Sequence, residues 1–307
     1  MHKVSIVIPF YNGDDYIDKC LESLSIGSCA EAEKIIVNNS DRATRIDDIA
    51  ARYENVTVFD AKPRIGFGRA CNEGAQISIL RGAEYIIFLN QDSIAHEDLV
   101  LQLIAPFAES RELVITAPIH YNYDFSSIDK TFILYLSKCP HLLYDALNIY
   151  MRSWYNCDCI SGACFAIRSE YINKYGLFDP VYFMYWEDND LCRKVRYLNY
   201  GIALVPGAKI GHFNHAGDNY KEIHKVQMWS RHSMSIFELK DVKVSLLRQC
   251  LYICRSSIKA YLNYGVSLRF LDLLFAILFD IRLLVSLPHI IRSRNAERNL
   301  ISASVRI

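Results

Sequence analysis

A short apolar run that ends abruptly in polar side chains constrains the fold of this chain most. Residues 85–89 are Tyr-Ile-Ile-Phe-Leu, and Asn90-Gln91-Asp92 follow directly. A continuous apolar run of this length is typical of a strand buried on both faces of a sheet. Because ligands of parallel α/β sheets bind outside the carboxyl ends of the strands, Asp92 is a candidate site residue. The competing interpretation is that Asp92 or Ser93 caps a helix over residues 95–108.

The first hundred residues alternate predicted strands with predicted helices. Strands are predicted at 4–9, 34–37, 56–59 and 85–89, with helices between them at 16–24, 43–53 and 68–80. This alternation is typical of a parallel sheet covered by helices on both faces. Residues 118–156 break the rhythm and predict loops and short helices over one edge of the sheet. Further strands are predicted at 160–167 and 202–205, and residues 210–215 close the ordered part.

Composition excludes several classes of protein. Half of the 307 residues are apolar, which rules out a disordered chain, and the length allows one large domain or two modest ones. Ten cysteines occur without a CxxC pair, and the chain runs from Met1 straight into a predicted strand, so we expect a reducing compartment with free thiols. Cys157 and Cys159 have the wrong spacing for a zinc site and are expected to be structural.

A second group of acids follows an aromatic run, in residues 186–190, Trp-Glu-Asp-Asn-Asp. In the helix predicted there, Asp188 shares a face with the apolar residues at 191, 192 and 195. Partial burial beside Trp186 would raise the pKa of Asp188 toward that of a useful base. Asp190 lies four residues before Lys194, the spacing of a solvent-exposed ion pair. The helix dipole favours acids in a first turn, so Glu187 and Asp190 are expected to be structural.

Seven segments occur along the chain in a set order, and that order carries more weight than any one of them. They are Val4–Asn12, Ile36–Ser40, Gly66–Gly74, Phe88–Asp92, Ser161–Ala163, Trp186–Asp188, and His212 with Gly217 beyond. Together they resemble a family 2 glycosyltransferase of the GT-A fold, similar to the bacterial rhamnosyltransferase-like enzymes that build surface polysaccharides such as O-antigen. The resemblance covers residues 3–220. It implies an α/β catalytic domain over residues 1–224, with a mostly parallel sheet flanked by helices.

The resemblance implies a nucleotide-sugar donor site. Pro9, Tyr11 and Asn38 would line the nucleobase and ribose pocket. Arg69 and Asn72 would face the diphosphate and the sugar. Asn38 departs from the family pattern, because an Asp is common at its position.

The resemblance also implies a divalent cation, Mn²⁺ or Mg²⁺. Asn90-Gln91-Asp92 takes the place of the DxD motif, whose last acid, here Asp92, binds the cation that holds the diphosphate. Asn90 replaces the first acid and leaves one formal charge on the metal side. His212 matches the position that completes the metal site in related enzymes, and His215, three residues on, is the competing ligand.

The implied reaction is inverting and needs a general base, whose position Asp188 matches. Trp186 and Glu187 would lie on the acceptor side. A hexosyl or deoxyhexosyl group would move from a nucleoside-diphosphate donor to a hydroxyl of a glycan or polyprenyl-linked acceptor. A divalent cation stabilises the leaving diphosphate, and the attacking hydroxyl must lose its proton to a base.

Three other classes compete with this interpretation. Gly66–Cys71 resembles the GxGxxG loop of dinucleotide-binding oxidoreductases, but Cys71 replaces the final Gly and the loop follows the third strand. A nucleotide-sugar pyrophosphorylase would carry a glycine- and lysine-rich loop where residues 10–13 stand. Asp92 and Asp188 disfavour a catalytically silent sugar-binding or scaffold member. We expect no nucleic-acid partner.

The C-terminal region, residues 225–307, lies outside the matched core and is predicted to be helical. From Lys243 onward ten Lys and Arg stand against three acids, a balance of +7, so residues 1–242 carry 24 bases and 31 acids, a balance of −7. The apolar stretch 268–287 is interrupted by four charged residues, Arg269, Asp272, Asp280 and Arg282. These charges favour a helix in the membrane interface over one that spans the membrane.

Helical geometry sorts this stretch into two faces. At about 100° per residue, Arg269, Asp272, Ala276 and Asp280 line one narrow face and leave the rest apolar. A wide apolar surface flanked by bases attracts an anionic membrane surface. We therefore expect a protein that is peripheral on the cytoplasmic, inner face of the cell membrane. The competing interpretation is a helix packed on the catalytic domain or forming a homodimer.

Overall fold

The computed structural model describes residues 2–213 and 220–304. The chain divides into two units, Met1–Phe178 with Leu191–Asn214, and Asp179–Asp190 with His215–Ile307. The second unit therefore includes residues 179–190, which the sequence-based division at residue 224 assigns to the catalytic domain. His215 and Gly217 lie outside the described residues.

The strands are β1 (Val4–Phe10), β2 (Glu33–Asn38), β3 (Val56–Asp60), β4 (Tyr85–Leu89), β5 (Ser93–Ala95), β6 (Leu113–Asn122), β7 (Tyr155–Asn156), β8 (Cys164–Arg168) and β9 (Gly201–His212). The helices are α1 (Asp14–Ser23), α2 (Ile46–Ala50), α3 (Phe67–Leu80), α4 (Leu99–Glu109), α5 (Ile133–Leu136), α6 (Pro140–Leu147), α7 (Ser169–Tyr175), α8 (Glu187–Tyr197), α9 (Tyr220–Lys240), α10 (Leu246–Val266) and α11 (Phe270–Ser304), with a short 3₁₀ helix at Gly27–Cys29.

These strands form one mixed sheet in the order β3-β2-β1-β4-β8-β6-β9-β5, with β7 on β9. The first four neighbours are parallel, as the strand-helix alternation predicts. β8 runs antiparallel between β4 and β6, while β6 and β9 are parallel to each other. The predicted α/β fold with a helix-flanked sheet is confirmed, and its parallel half is the half that sequence periodicity describes.

Strand β4 lies at the centre of the sheet, between β1 and β8. Residues 86–89 are fully buried, as a strand covered on both faces requires. Helix α3 packs closely on this region, because a Cβ at Gly74 would lie 2.3 Å from Val7 Cγ1. A glycine there lets the helix backbone approach β1.

Two predicted elements differ from the structure. The three-residue strand β5 follows Asp92, and the next helix, α4, begins at Leu99 with Asp98 as its N-cap residue, so the interpretation of Asp92 as a helix cap is wrong. Residues 202–205, predicted as a short strand, and residues 210–212 lie in one continuous strand, β9. Its partner β6 continues through Pro118 by a register shift at residues 118–119, so the irregular excursion begins later than predicted.

The second unit has a small apolar core of its own, built on Tyr182, Ile236, Leu239, Leu283 and Ile290. None of the helices in the described residues is both long enough and apolar enough to cross a membrane. All ten cysteines are free thiols.

Candidate active site

The carboxyl ends of the parallel strands bring together several predicted donor residues. Strand register places Phe10 of β1 beside Asn38 of β2, and Asn38 beside Asp60 of β3. The Asn38 amide donates a hydrogen bond to Asp60 Oδ1 at 2.8 Å. Pro9 is buried within β1. The Asp60 carboxylate therefore lies next to position 38, one strand away.

The loop after β1 is bonded to the loop after β2. The Tyr11 hydroxyl donates to Asp41 Oδ2 at 3.0 Å, and Asn12 Nδ2 donates to Asp41 Oδ1 at 2.8 Å. These bonds, first from Asn12 and then from Tyr11, hold the pKa of Asp41 below its ordinary value. Arg64 lies 3.3 Å from the same carboxylate. Asp41 thus anchors Tyr11, whose ring is 38% exposed and open to a ligand.

Gln91 holds the loop after β1 in place. Its Oε1 accepts from the Tyr11 backbone N–H at 2.9 Å, and its Nε2 donates to the Tyr11 carbonyl at 3.1 Å. A Cβ at Gly13 would lie 2.3 Å from the Gln91 amide, so this fit requires glycine there. Gln91, the middle residue of the segment that takes the place of the DxD motif, therefore positions Tyr11.

Asp92 and His212 meet because β5 pairs with β9. Ser93 lies opposite His212 in the antiparallel register, and the Phe213 N–H donates to the Asp92 carbonyl at 3.0 Å. This pairing places His212 Nε2 3.7 Å from Asp92 Oδ1. The two predicted metal residues are 120 positions apart in sequence and are brought together here.

A buried carboxylate lies on the other side of the His212 ring. Asp129 Oδ2 is 3.7 Å from His212 Nδ1, and Asp129 is 4% exposed. Burial raises the pKa of Asp129, but hydrogen bonds from the hydroxyl and N–H of Thr131 outweigh it and bring the pKa below its ordinary value. His120 is buried beside them, and burial lowers its pKa to about 3, so its ring is neutral.

The Asp92–His212 pair fits a shared divalent cation. His212 Nε2 is buried and makes no hydrogen bond to the residues that the structure describes, and its distance to Asp92 is too long for one. Among the described residues, no three His, Cys, Asp or Glu side chains form a complete metal site. Cations that bind nucleotides take one or two protein ligands and complete their shell with phosphate oxygens and water. Two protein ligands are enough for a cation of that kind.

Two residues predicted to face the diphosphate and sugar differ in their surroundings. Arg69, in the first turn of α3, is exposed. Asn72 uses its amide on the backbone, donating to the Phe178 carbonyl at 2.8 Å and accepting from the Phe178 N–H at 3.0 Å. Asn72 therefore fixes the end of the segment before Asp179.

Asn90, the first residue of the segment in place of the DxD motif, is held through its backbone, because its N–H donates a hydrogen bond to the Ala163 carbonyl at 2.8 Å.

In the second unit, α8 begins after two consecutive aromatic residues in the left-handed region, Tyr185 (φ 68°) and Trp186 (φ 69°). Such a backbone costs about 1–3 kcal/mol per residue and persists only where its surroundings hold it. The Trp186 indole N–H donates to Ser230 Oγ at 3.1 Å, and the Ser233 hydroxyl donates to the Met184 carbonyl at 2.6 Å. Helix α9 holds this strained turn.

The first turn of α8 carries two adjacent carboxyl groups in different environments. Glu187 is 6% exposed, and burial, with the neighbouring Asp188 and then Asp190, raises its pKa to about 8. Asp188 is half-buried, and its Oδ1 accepts from the N–H of Asn189 at 2.8 Å and from its Nδ2 at 3.0 Å. At neutral pH a protonated Glu187 therefore stands beside the predicted base.

The prediction that Asp190 makes a solvent ion pair with Lys194 is wrong. The Lys194 ammonium donates instead to the carbonyls at residues 175, 176 and 177, where α7 ends. Asp190 is buried, and its Oδ2 lies 2.5 Å from Lys240 Nζ. Helical spacing describes neighbours on one helix only, and the ammonium that Asp190 binds comes from α9.

Lys240 is the centre of a buried charge cluster in the second unit. Its Nζ lies 2.5 Å from Asp179 and from Asp190, and 3.3 Å from Glu297 of α11. Burial lowers the pKa of Lys240, but these three carboxylates outweigh burial and raise it. We call these four residues the Lys240 cluster. It ties the start of α8 to α9 and α11.

Sequence analysis missed Asp41, Asp60, Asp129 and Lys240. A signal existed for Asp60, because it ends a predicted strand at the edge where the site was expected. Asp129 lies in the irregular excursion and Lys240 in the unmatched tail, where no motif marked them.

The sheet defines a class, the α/β proteins with a GT-A-type sheet. The sequence model of the family described as "Glycosyl transferase family 2" matches residues 5–176, more than half of the chain. The chain belongs to glycosyltransferase family 2, as its motifs predicted, and it is a glycosyltransferase.

Relatives with curated names agree with this assignment. Rhamnosyltransferase WbbL of Escherichia coli K12 is 27% identical over 246 residues, 74% of this chain and 89% of WbbL. Poly(ribitol-phosphate) beta-glucosyltransferase of Bacillus spizizenii is 31% identical over 105 residues, 33% of this chain. The matched part is 16% of that relative's length.

Solved structures share the fold. GalNAc-T7 with UDP, GalNAc and Mn²⁺ has a TM-score of 0.56 at 18% identity, over 78% of this chain and 50% of that one. Residues 1–349 of S. aureus TarS with UDP-GlcNAc give a TM-score of 0.53 at 16% identity, over 82% of this chain and 70% of that one. At these identities the likeness concerns the fold.

Proposed function

We propose that this protein is an inverting, metal-dependent transferase that moves a sugar from a nucleoside-diphosphate donor to a hydroxyl of a glycan or lipid-linked acceptor. The observation that carries the proposal is the meeting of Asp92 and His212 at the carboxyl edge of the sheet. A nucleotide donor is further supported by the fold neighbours, which are complexes of UDP and UDP-GlcNAc.

The donor would be held by groups of the first unit. Asn38 with Asp60 and Tyr11 with Asp41 offer fixed hydrogen-bonding groups for a nucleobase and a ribose. Asp92 and His212 would hold Mn²⁺ or Mg²⁺, and a bound cation would neutralise the charge that develops on the leaving diphosphate. The Asp129 carboxylate, 3.7 Å from His212 Nδ1, would add negative charge near the cation.

Asp188 would act as the base. Its carboxylate takes the proton of the acceptor hydroxyl as that oxygen bonds to the anomeric carbon and the bond to the diphosphate oxygen breaks. Glu187 beside it stays protonated near neutral pH, because burial raises its pKa to about 8. A protonated Glu187 leaves Asp188 as the ionised member of this adjacent pair.

The names of the relatives and the charge of the C-terminal region support a proposal for the acceptor and for the cellular location. WbbL is named a rhamnosyltransferase, and the Bacillus spizizenii relative is named a poly(ribitol-phosphate) beta-glucosyltransferase. We propose that this chain acts in surface polysaccharide synthesis, on a glycan or polyprenyl-linked acceptor. It would work as a peripheral protein on the inner face of the cell membrane, where its basic C-terminal region meets acidic lipid.

Donor-dependent thermal shift tests the proposal. Purified protein is screened against dTDP-, UDP- and GDP-sugars with and without Mn²⁺, because a ligand that binds only the folded state raises the melting temperature. We expect one nucleotide class to stabilise the wild type in Mn²⁺, Asp92→Ala to abolish the shift, and Asp48→Ala, an exposed acid of α2, to keep it. Melting-temperature shifts of equal size with and without Mn²⁺, which are also unchanged in Asp92→Ala, would show that the carboxyl edge of the sheet is not the donor site.

A further inference from the structure

Helix α11 buries several charged side chains and exposes several large apolar ones. Its buried positions include three charged residues, Asp272, Arg294 and Glu297. Leu271, Leu284 and Val285, by contrast, are about 70% exposed. A helix that packs on a protein core normally buries its apolar stripe and exposes its charges. Along its first half α11 buries Asp272 with Ala276 and Leu283. Most of its other apolar side chains there are exposed.

Polar bonds hold the inward side of the helix. Asp280 accepts from Arg231 of α9 at 3.1 Å and from the Tyr261 hydroxyl of α10 at 2.5 Å. Asp272 accepts from Arg269 at 2.6 Å. These bonds join α9, α10 and α11 through their polar sides. The orientation of α11 is therefore fixed by partners, and its exposed leucines are part of a built surface.

Helix α10 also exposes apolar side chains. Its Leu247, Leu251, Ile258 and Leu262 are each at least half exposed. We define the apolar face as the exposed apolar side chains of residues 247–285 on α10 and α11. Soluble monomers rarely expose a large contiguous apolar patch, so a face built from two helices in succession indicates a partner.

The charges around the apolar face have one sign. The three acids between residues 246 and 304 are Asp272, Asp280 and Glu297, and all of them turn inward to bases or to the buried interior. The exposed charged side chains of that range are all basic: Arg248, Arg255, Lys259, Arg282, Arg292 and Arg298. An apolar surface with a purely basic surround is complementary to a layer with an acidic surface and an apolar interior.

We infer that the apolar face is a membrane-docking surface, with α10 and α11 lying in the plane of an acidic lipid leaflet. The inference rests on the proposed function, which places the protein at the membrane, and it names the surface that binds the lipid. None of the described helices is apolar enough to span a bilayer, which agrees with an in-plane arrangement. A second copy fits less well, because a self-paired face brings its bases against the same bases.

Vesicle sedimentation of the full-length chain tests the inference. We expect binding to phosphatidylcholine vesicles that contain phosphatidylglycerol, and weaker binding to phosphatidylcholine alone. Leu274→Ser with Leu278→Ser should weaken binding at least tenfold, because both side chains are half exposed within the apolar face. The matched control is Leu80→Ser, an 87% exposed leucine of α3 outside the face, which should change nothing.

The basic surround is tested separately. Arg255→Gln with Lys259→Gln should weaken binding to acidic vesicles on the order of thirtyfold, since each basic group near the surface contributes about fivefold. It should also reduce the release of protein by high salt. Equal binding by this variant and the wild type would overturn the role of the charges.

Two further measurements separate the possible failures. If the wild type ignores acidic vesicles at low salt and the serine variant converts a dimer to a monomer in sedimentation velocity, the face is a self-association surface and the inference is wrong. The donor-dependent thermal shift is measured on the same proteins. Donor binding without vesicle binding would overturn the docking surface alone, and vesicle binding without donor binding would overturn the proposed function alone.

Discussion

Single residues of the site gain their roles from contacts that lie far apart in sequence. Asn38 carries no charge, yet it holds the Asp60 carboxylate at 2.8 Å. His212 is placed by β-pairing against Asp92 on one side and lies near Asp129 on the other. At the start of α8, burial separates the neighbours Glu187 and Asp188 and gives them different chemistry.

The base assignment predicts a selective loss. Asp188→Asn should lower turnover by about a hundredfold or more and leave donor affinity nearly unchanged, because a base acts on the acceptor proton and not on the donor. Initial rates and donor thermal shifts measured on one preparation check both parts. Asp158→Asn is the matched control, since its side chain is 70% exposed. A loss of donor binding equal to the loss of rate would assign Asp188 to the donor.

The raised pKa of Glu187 predicts a pH-dependent stability. A carboxyl whose folded pKa, about 8, exceeds its ordinary value of 4.5 binds more protons in the folded state between those values. Its contribution to the free energy of unfolding is thus complete below about pH 4.5 and is lost as the pH rises toward 8. Glu187→Gln, which keeps the neutral form, should gain stability relative to the wild type from pH 5 to pH 8. Parallel urea midpoints across that range would contradict the shift.

At the scale of elements, the sequence predicts those helices and strands that have a clear pattern of apolar residues. The apolar run of β4, the alternation from β1 to α3 and the apolar tail are local signals, and each has its counterpart in the structure. Strand β5 has three residues, too few to show a period, so its pairing with β9 was not foreseen although it brings Asp92 to His212. The predicted partner of Asp190 was also wrong, because local spacing does not reveal Lys240, which lies fifty residues further along the chain.

The Lys240 cluster predicts that removal of its ammonium group lowers the free energy of unfolding strongly. Lys240→Met should destabilise the protein by about 3–5 kcal/mol, because it leaves three carboxylates around a buried site without their ammonium. Urea unfolding measures the change, and Lys243→Met, at an exposed lysine just beyond α9, is the matched control. An effect of Lys240→Met as small as that of the control would show that the cluster does not hold α8 to α9 and α11.

At the scale of the whole molecule, the first unit contains the Asp92–His212 pair and the residues that match the family 2 model. The second unit contains Glu187 and Asp188, the Lys240 cluster and the apolar face. Motif order predicted the family and the fold. The inward turn of every acid beyond residue 246 was visible only once α9 supplied Arg231 and α10 supplied Tyr261 as partners for Asp280. The tail is thus an integral part of the second unit, which also contains the predicted base.

The central claim is that Asp92 and His212 hold a cation that makes sugar transfer possible. The most direct measurement is release of nucleoside diphosphate from the donor found by thermal shift, with membranes as the source of acceptor, in Mn²⁺ and in excess EDTA. The account predicts release by the wild type in Mn²⁺, its loss in EDTA, its recovery when Mn²⁺ is restored, and little release at any Mn²⁺ concentration for Asp92→Ala. Undiminished release in excess EDTA, or by Asp92→Ala, would contradict it.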